Sequence, residues 1–128
     1  MREIKFRAWD KEEEMLLSDI SLIDDTWDML NEFFKYKKDE LVFMHYTGLK
    51  DNIGKGIYEG DILDGSYTNP LTKEVVKKYY QIVYENGCYN AHAKNHPFGS
   101  TVLYFINTKS KVIGNIYENP ELLEDADD

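Results

Sequence analysis

The chain of 128 residues has a single cysteine, Cys88, so no disulfide can form within it, and a reducing compartment, the cytoplasm, is the expected location. It lacks any run near the ~20 apolar residues that a membrane-spanning helix needs. Its first residues, MREIKFRAWDKEEEML, carry charges every few positions and no apolar segment of the secretory kind, so neither export nor membrane insertion is expected. Clustered Lys and Arg are also scarce. The net charge is −9, which disfavours non-specific binding to a phosphate backbone, because counterion release needs concentrated positive charge. No Gly-x-Ser-x-Gly elbow, internal repeat, low-complexity tract or long linker is present.

What the chain does have is a foldable composition. Hydrophobic residues make up 42% and aromatics 14%, with ten Tyr and six Phe, which favours sheet. The acid is unevenly placed. Glu118, Glu121, Glu124, Asp125, Asp127 and Asp128 fall in the last eleven residues with no basic one, so residues 1–117 carry only −3. Such an end is expected to be a solvated acidic tail.

Residues 3–9, EIKFRAW, alternate Ile4, Phe6 and Ala8 against Lys5, Arg7 and Trp9, the period of two of a half-exposed strand. A charged turn, Asp10 to Glu14, leads into Met15, Leu16 and Leu17 as a hairpin. Asp24, Asp25 and Thr26 supply caps, and Trp27, Leu30, Phe33 and Phe34 recur at helical spacing, which predicts one short helix over 26–36 with Lys35, Lys37 and Lys38 at its negative pole. A strand is expected over 40–47, then five more over 60–66, 75–85, 87–93, 101–107 and 111–117. Asn86-Gly87 marks a type I′ turn, since both central residues there need positive φ. Five short strands within about sixty residues suit a small closed or partly closed barrel better than a sandwich of about seven.

The glycine-rich stretch from Tyr46 to Leu63, YTGLKDNIGKGIYEGDIL, resembles a nucleotide loop only superficially. Five residues separate Gly48 from Gly54-Lys55 where a P-loop has four, and the interval from Gly56 to Gly60 is one residue too long for the dinucleotide fingerprint. Read mechanically, Asp51-Asn52-Ile53-Gly54 is a turn with carboxylate and amide caps and Gly54 at positive φ, and Gly60-Asp61 is a second bend with Asp61 as its cap. Cys88, His92 and His96 are spaced by four. The Asn-Gly turn and Pro97 leave no room for a helix between them, and on a strand they would span about 26 Å at ~3.3 Å per residue, so no metal or other cofactor is expected. His45 reads as an ordinary strand residue and Asp24, Asp25 and Asp28 as helix caps. One modest cationic patch, Lys73, Lys77 and Lys78 beside Tyr79 and Tyr80, could meet a phosphate backbone weakly; Lys77, Lys78, Tyr79 and Tyr80 form the candidate binding surface.

Three blocks in order, REIKFRAWD with Met15, YTGLKDNIGKGIYEGDIL, and VIGNIYENPELL from Val112 to Leu123, resemble the YopX-like family of phage and prophage proteins. The resemblance implies a small protein of temperate phages, mainly of Gram-positive hosts, whose C-terminal part is an SH3-like β-barrel and which carries no established activity. It marks Trp9, Tyr46, Gly48, Asp51, Gly54, Tyr58, Gly60, Asp61, Gly114, Asn115 and Pro120 as motif positions of structural kind. Gly56 departs from the larger, charged residue expected before Ile57.

The expectation is a mainly β chain: a β-rich segment with one short helix over 1–56, a small SH3-like barrel over 57–117 and an acidic tail over 118–128. It is expected to be a non-enzymatic accessory protein that self-associates as a homo-oligomer or binds a host or phage protein. The competing reading is a nucleic-acid-associated factor in replication or packaging.

Overall fold

Strands dominate because apolar residues alternate through short segments punctuated by turn formers. The computed structural model describes residues 5–21, 40–93 and 99–125. Its chain falls into two units, 1–46 and 47–128, with the boundary inside a strand after Tyr46. The predicted helix over 26–36 lies outside the described residues.

In the first unit, β1 (Lys5–Asp10) is the middle strand, pairing antiparallel with β2 (Met15–Ser21) and with β3 (Leu41–Lys50). The β1–β2 turn is the charged one expected: Asp10 Oδ1 accepts from the amides of Glu12 at 3.0 Å and Glu13 at 3.2 Å, and Glu14 takes φ of 51°. Register fixes Phe6 opposite His45 and Ala8 opposite Phe43, with the Phe6 and Phe43 rings edge to face at 6.0 Å. The expected half-exposed strand is corrected, because Arg7 and Asp10 are buried together with Phe6 and Ala8. Flanked by a strand on each side, β1 has no open edge, and the Arg7 guanidinium reaches Met44 Sδ at 3.7 Å.

In the second unit, β3 continues to Lys50 and is followed by β4 (Gly56–Tyr58), which is hydrogen-bonded to it. A five-stranded antiparallel sheet then runs in the order β10 (Thr101–Val102), β9 (Cys88–Ala93), β8 (Tyr79–Glu85), β5 (Asp61–Asp64), β11 (Lys111–Asn115). Each of the five segments read from 60 onward contributes one strand to this sheet. The Asn86-Gly87 turn has φ of 54° and 82°, as a type I′ hairpin requires, and sets Tyr84 opposite Tyr89. Two features differ from expectation. The segment 101–107 is a strand only at Thr101–Val102 and then tightens into 3-10 turns at Leu103–Phe105 and Asn107–Lys109. Residues 67–76 form a separate small hairpin of β6 (Tyr67–Thr68) and β7 (Val75–Val76).

The core of this unit is Ile57, Leu63, Tyr80, Ile82, Ala91, Ala93, Leu103 and Val112, with Leu49, Tyr89 and Ile106 packed against it. Full burial of a side chain such as Ile82 contributes about 1.5–3 kcal/mol. The acidic C-terminal segment is not wholly frayed, for α1 (Glu121–Asp125) forms one short helix there. Among the described residues no helix is long and apolar enough to cross a membrane.

Candidate functional site

The turn after β3 is built around one carboxylate. Gly54 adopts φ of 86°, which closes the turn so that Asp51 N donates to Lys55 O at 2.8 Å. Asp51, only 5% exposed, then faces three amides: its Oδ1 accepts from Ile53 at 3.0 Å and Lys55 at 2.8 Å, and its Oδ2 accepts from Val112 at 2.9 Å. Around it, Asn52 N donates to Ser110 O at 2.9 Å and Asn107 Nδ2 to Lys50 O at 2.7 Å, while Ser110 Oγ returns to Ile106 O at 2.8 Å. Burial works against the charge on Asp51, but the amides of Val112, Lys55 and Ile53 and the Lys55 ammonium outweigh it and hold its pKa below the ordinary carboxylate value. The aspartate is thus a polar rivet between the β3–β4 turn and the start of β11.

The second bend follows the same logic. Gly60 at φ of 88° donates to Ile82 O at 2.8 Å and accepts from Ile116 N at 3.0 Å, while the buried Asp61 accepts Tyr58 N on Oδ2 at 2.8 Å. At the end of β11, Asn115 Oδ1 accepts from Tyr117 at 3.0 Å and Glu118 at 2.8 Å, and its Nδ2 donates to Glu118 Oε1 at 2.7 Å. Asn119 Oδ1 accepts Asn115 N at 3.3 Å; a Cβ on Gly114 would lie 2.4 Å from that same oxygen. Pro120 O accepts Leu123 N at 3.2 Å in the first turn of α1. Close by in sequence, burial and the Glu59 carboxylate push the Tyr117 phenol above its ordinary value.

The remaining motif residues are dispersed. Trp9 is half-buried between Leu16 and Val42 in the register of the first unit, and Tyr46 has Lys5 Nζ 5.7 Å from its ring centre. Gly48 is exposed at φ of 84° with open space where a Cβ would be. Asp51, Asp61 and Asn115 each serve backbone amides of a turn, with Asp61 and Asn115 paired across β5 and β11.

The candidate surface of Lys77, Lys78, Tyr79 and Tyr80 is split by the pleat of β8. Tyr80 points inward with Ile82 and is 5% exposed, so it is corrected from a stacking ring to a core residue. Tyr79 is half-buried, with Lys77 Nζ 5.0 Å from its ring centre, and Lys78 Nζ sits 5.3 Å from that of Tyr80. On β9, His92 Nε2 meets Glu85 Oε1 at 2.5 Å, and Cys88 Sγ lies 3.7 Å from Asn90 Oδ1. His96 falls outside the described residues, as do Asp24, Asp25 and Asp28. Among the described residues no three His, Cys, Asp or Glu are placed to hold a metal ion. His45 is exposed on β3.

What sequence reading passed over is an apolar surface. Leu71 is 91% exposed and Val75 73%, both on the β6–β7 hairpin with the exposed Tyr67; Tyr104 and Phe105 stand out from the 3-10 turn, edge to face at 6.3 Å. The signal was local: in NPLTKEVVKK, Leu71 stands alone and Val75-Val76 are hemmed in by charged residues on both sides, without the sustained alternation of a half-buried strand.

The family model described as YopX protein matches residues 5–124. A crystal structure of protein EF1440 from Enterococcus faecalis is similar over 94% of this chain and 97% of that one, at 29% identity and a TM-score of 0.61. Protein yopX from Bacillus subtilis is similar over 92% and 96%, at 16% identity and a TM-score of 0.45. No curated protein matches. With all but a few terminal residues matched, the chain belongs to the YopX family.

Proposed function

We propose that this chain is a non-enzymatic phage or prophage accessory protein of the host cytoplasm, acting by self-association or by binding a partner protein. Residues 57–117 would be an SH3-like barrel that serves as the scaffold. One observation carries the reading: the polar motif residues are engaged in backbone capping, whereas large apolar side chains, Leu71 and Val75 foremost, face solvent on a small hairpin. Single exposed apolar residues are ordinary; several on one projecting element are the mark of a contact surface.

Light scattering over a range of concentrations, with capture from a bacterial lysate on the immobilised chain, tests this. A mass above the monomer's 15.1 kDa or a specific, saturable partner is expected. A strict monomer with no partner at micromolar concentration contradicts it. The nucleic-acid reading loses a stacking ring with Tyr80 in the core, and a gel shift with single-stranded DNA and RNA in about 50 mM salt decides it.

A further inference from the structure

The β6–β7 hairpin is an arm with its own internal fastening. At its base Gly65 N donates to Lys78 O at 2.8 Å and Lys78 N to Ser66 Oγ at 3.0 Å. At its tip Asn69 Oδ1 accepts from Leu71 N at 2.9 Å, Lys73 N returns to Asn69 O at 2.8 Å with Lys73 at φ of 65°, and Asn69 N donates to Glu74 O at 2.8 Å. The turn bonds thus hold Leu71 out in solvent on a fixed loop. Yet the β-ladder has only two residue pairs, Tyr67 with Val76 and Thr68 with Val75, and a two-stranded hairpin alone is marginal in water. Covering Leu71 and Val75 would stabilise it; Tyr67, paired with Val76 while Val75 pairs with Thr68, lies on the other face of the ladder.

Charge says what covers them. The arm carries Lys73, Lys77 and Lys78 against one acid, Glu74, whereas the chain's concentrated negative charge is the segment from Glu118 to Asp128, six acids and no base, interrupted by the half-buried Leu122 and Leu123. Leu71 and Val75 thus stand among cationic residues, and Leu122 and Leu123 among anionic ones. We propose that the β6–β7 arm of one molecule docks on the acidic C-terminal segment of a second copy of this chain. The inference rests on the self-association reading above and names its surfaces. Two side chains, each smaller than the ~150–250 Å² of a large aromatic, fall short of the ~800 Å² per partner of a standard interface. Each copy carries both halves, so the contact repeats, reciprocally in a pair or around a ring.

The test is light scattering of the full chain and four variants at about 50 mM salt, where surface attraction is least screened. The wild type is expected above 15.1 kDa and L71D/V75D at the monomer mass. Reversal of the arm, K73E/K77E, and of the helix, E121K/E124K, should each weaken association by roughly tenfold or more, and combining the two reversals should restore it to within about threefold of wild type. Unchanged circular dichroism shows that each variant folds. A wild type monomeric at every concentration overturns this inference and self-association together. An oligomer insensitive to all four variants overturns the inference and leaves self-association through another face. An oligomer lost in L71D/V75D but indifferent to both charge reversals overturns the choice of occupant.

Discussion

The carboxylate of Asp51 accepts a hydrogen bond from the amide of Val112, 61 positions further along the chain, at 2.9 Å. The same side chain holds the amides of Ile53 and Lys55, so a single aspartate closes its own turn and pins it to the edge strand β11. Asp51→Asn keeps the size but places an amide NH₂ where one of those donors points. Leaving a buried amide unpaired costs about 1–3 kcal/mol, so a loss of about that size is expected in urea denaturation.

The charge on Asp51 carries a pH signature. Its pKa is lowered in the folded state, so its contribution is present above the unfolded-state value near 3.9 and fades as pH falls through the folded value. Wild-type stability should therefore drop more steeply below about pH 4 than that of Asp51→Asn. Parallel curves for the two proteins over that range would contradict the assignment.

Tyr79 and Tyr80 are adjacent and opposite in role. Tyr80→Ala removes a ring from the core and is expected to cost about 3–5 kcal/mol, as large aromatic truncations do. Tyr79→Ala should cost under about 1 kcal/mol. Thermal or urea unfolding separates them, and equal losses would show that the pleat of β8 does not sort the two rings.

Two glycines should fail for different reasons. At Gly87, φ is 82° and nothing lies within 4 Å of an added Cβ, so Gly87→Ala costs only the backbone penalty of about 1–2 kcal/mol. At Gly65 an added Cβ would lie 2.5 Å from the Tyr80 ring, so Gly65→Ala costs about 1–3 kcal/mol by overpacking. Combining Gly65→Ala with Tyr80→Ala should cost less than the sum of the two, while Gly87→Ala with Tyr80→Ala should be additive.

Local chemistry was legible in the residues. Asp51 to Gly54, Gly60-Asp61 and Asn86-Gly87 are turns because their side chains and φ preferences act within four positions, and the strands β5, β8 and β9 follow from short apolar runs between them. Long-range relationships were not. Nothing near Asp51 announces Val112, nothing in β1 announces that Arg7 will be covered, and the alternation that buries Tyr80 does not say which of two neighbouring tyrosines faces in. From Thr101 to Asn107 an apolar run imitates a strand, but only Leu103 of its three central residues is buried while Tyr104 and Phe105 are exposed, a pattern satisfied by a 3-10 turn. The exposed arm escaped notice because Asn69-Pro70 reads as a simple break.

In the proposed division of labour the motif residues hold the frame while the β6–β7 arm makes the contacts. Amide hydrogen exchange compared between dilute and concentrated protein tests it most directly, since it reads both regions in one measurement. New protection is expected at high concentration over Tyr67–Lys78 and Glu121–Asp125, with the amides of Ile53, Lys55 and Val112 protected equally at both. New protection centred on the Asp51 turn, with the arm unchanged, would contradict it.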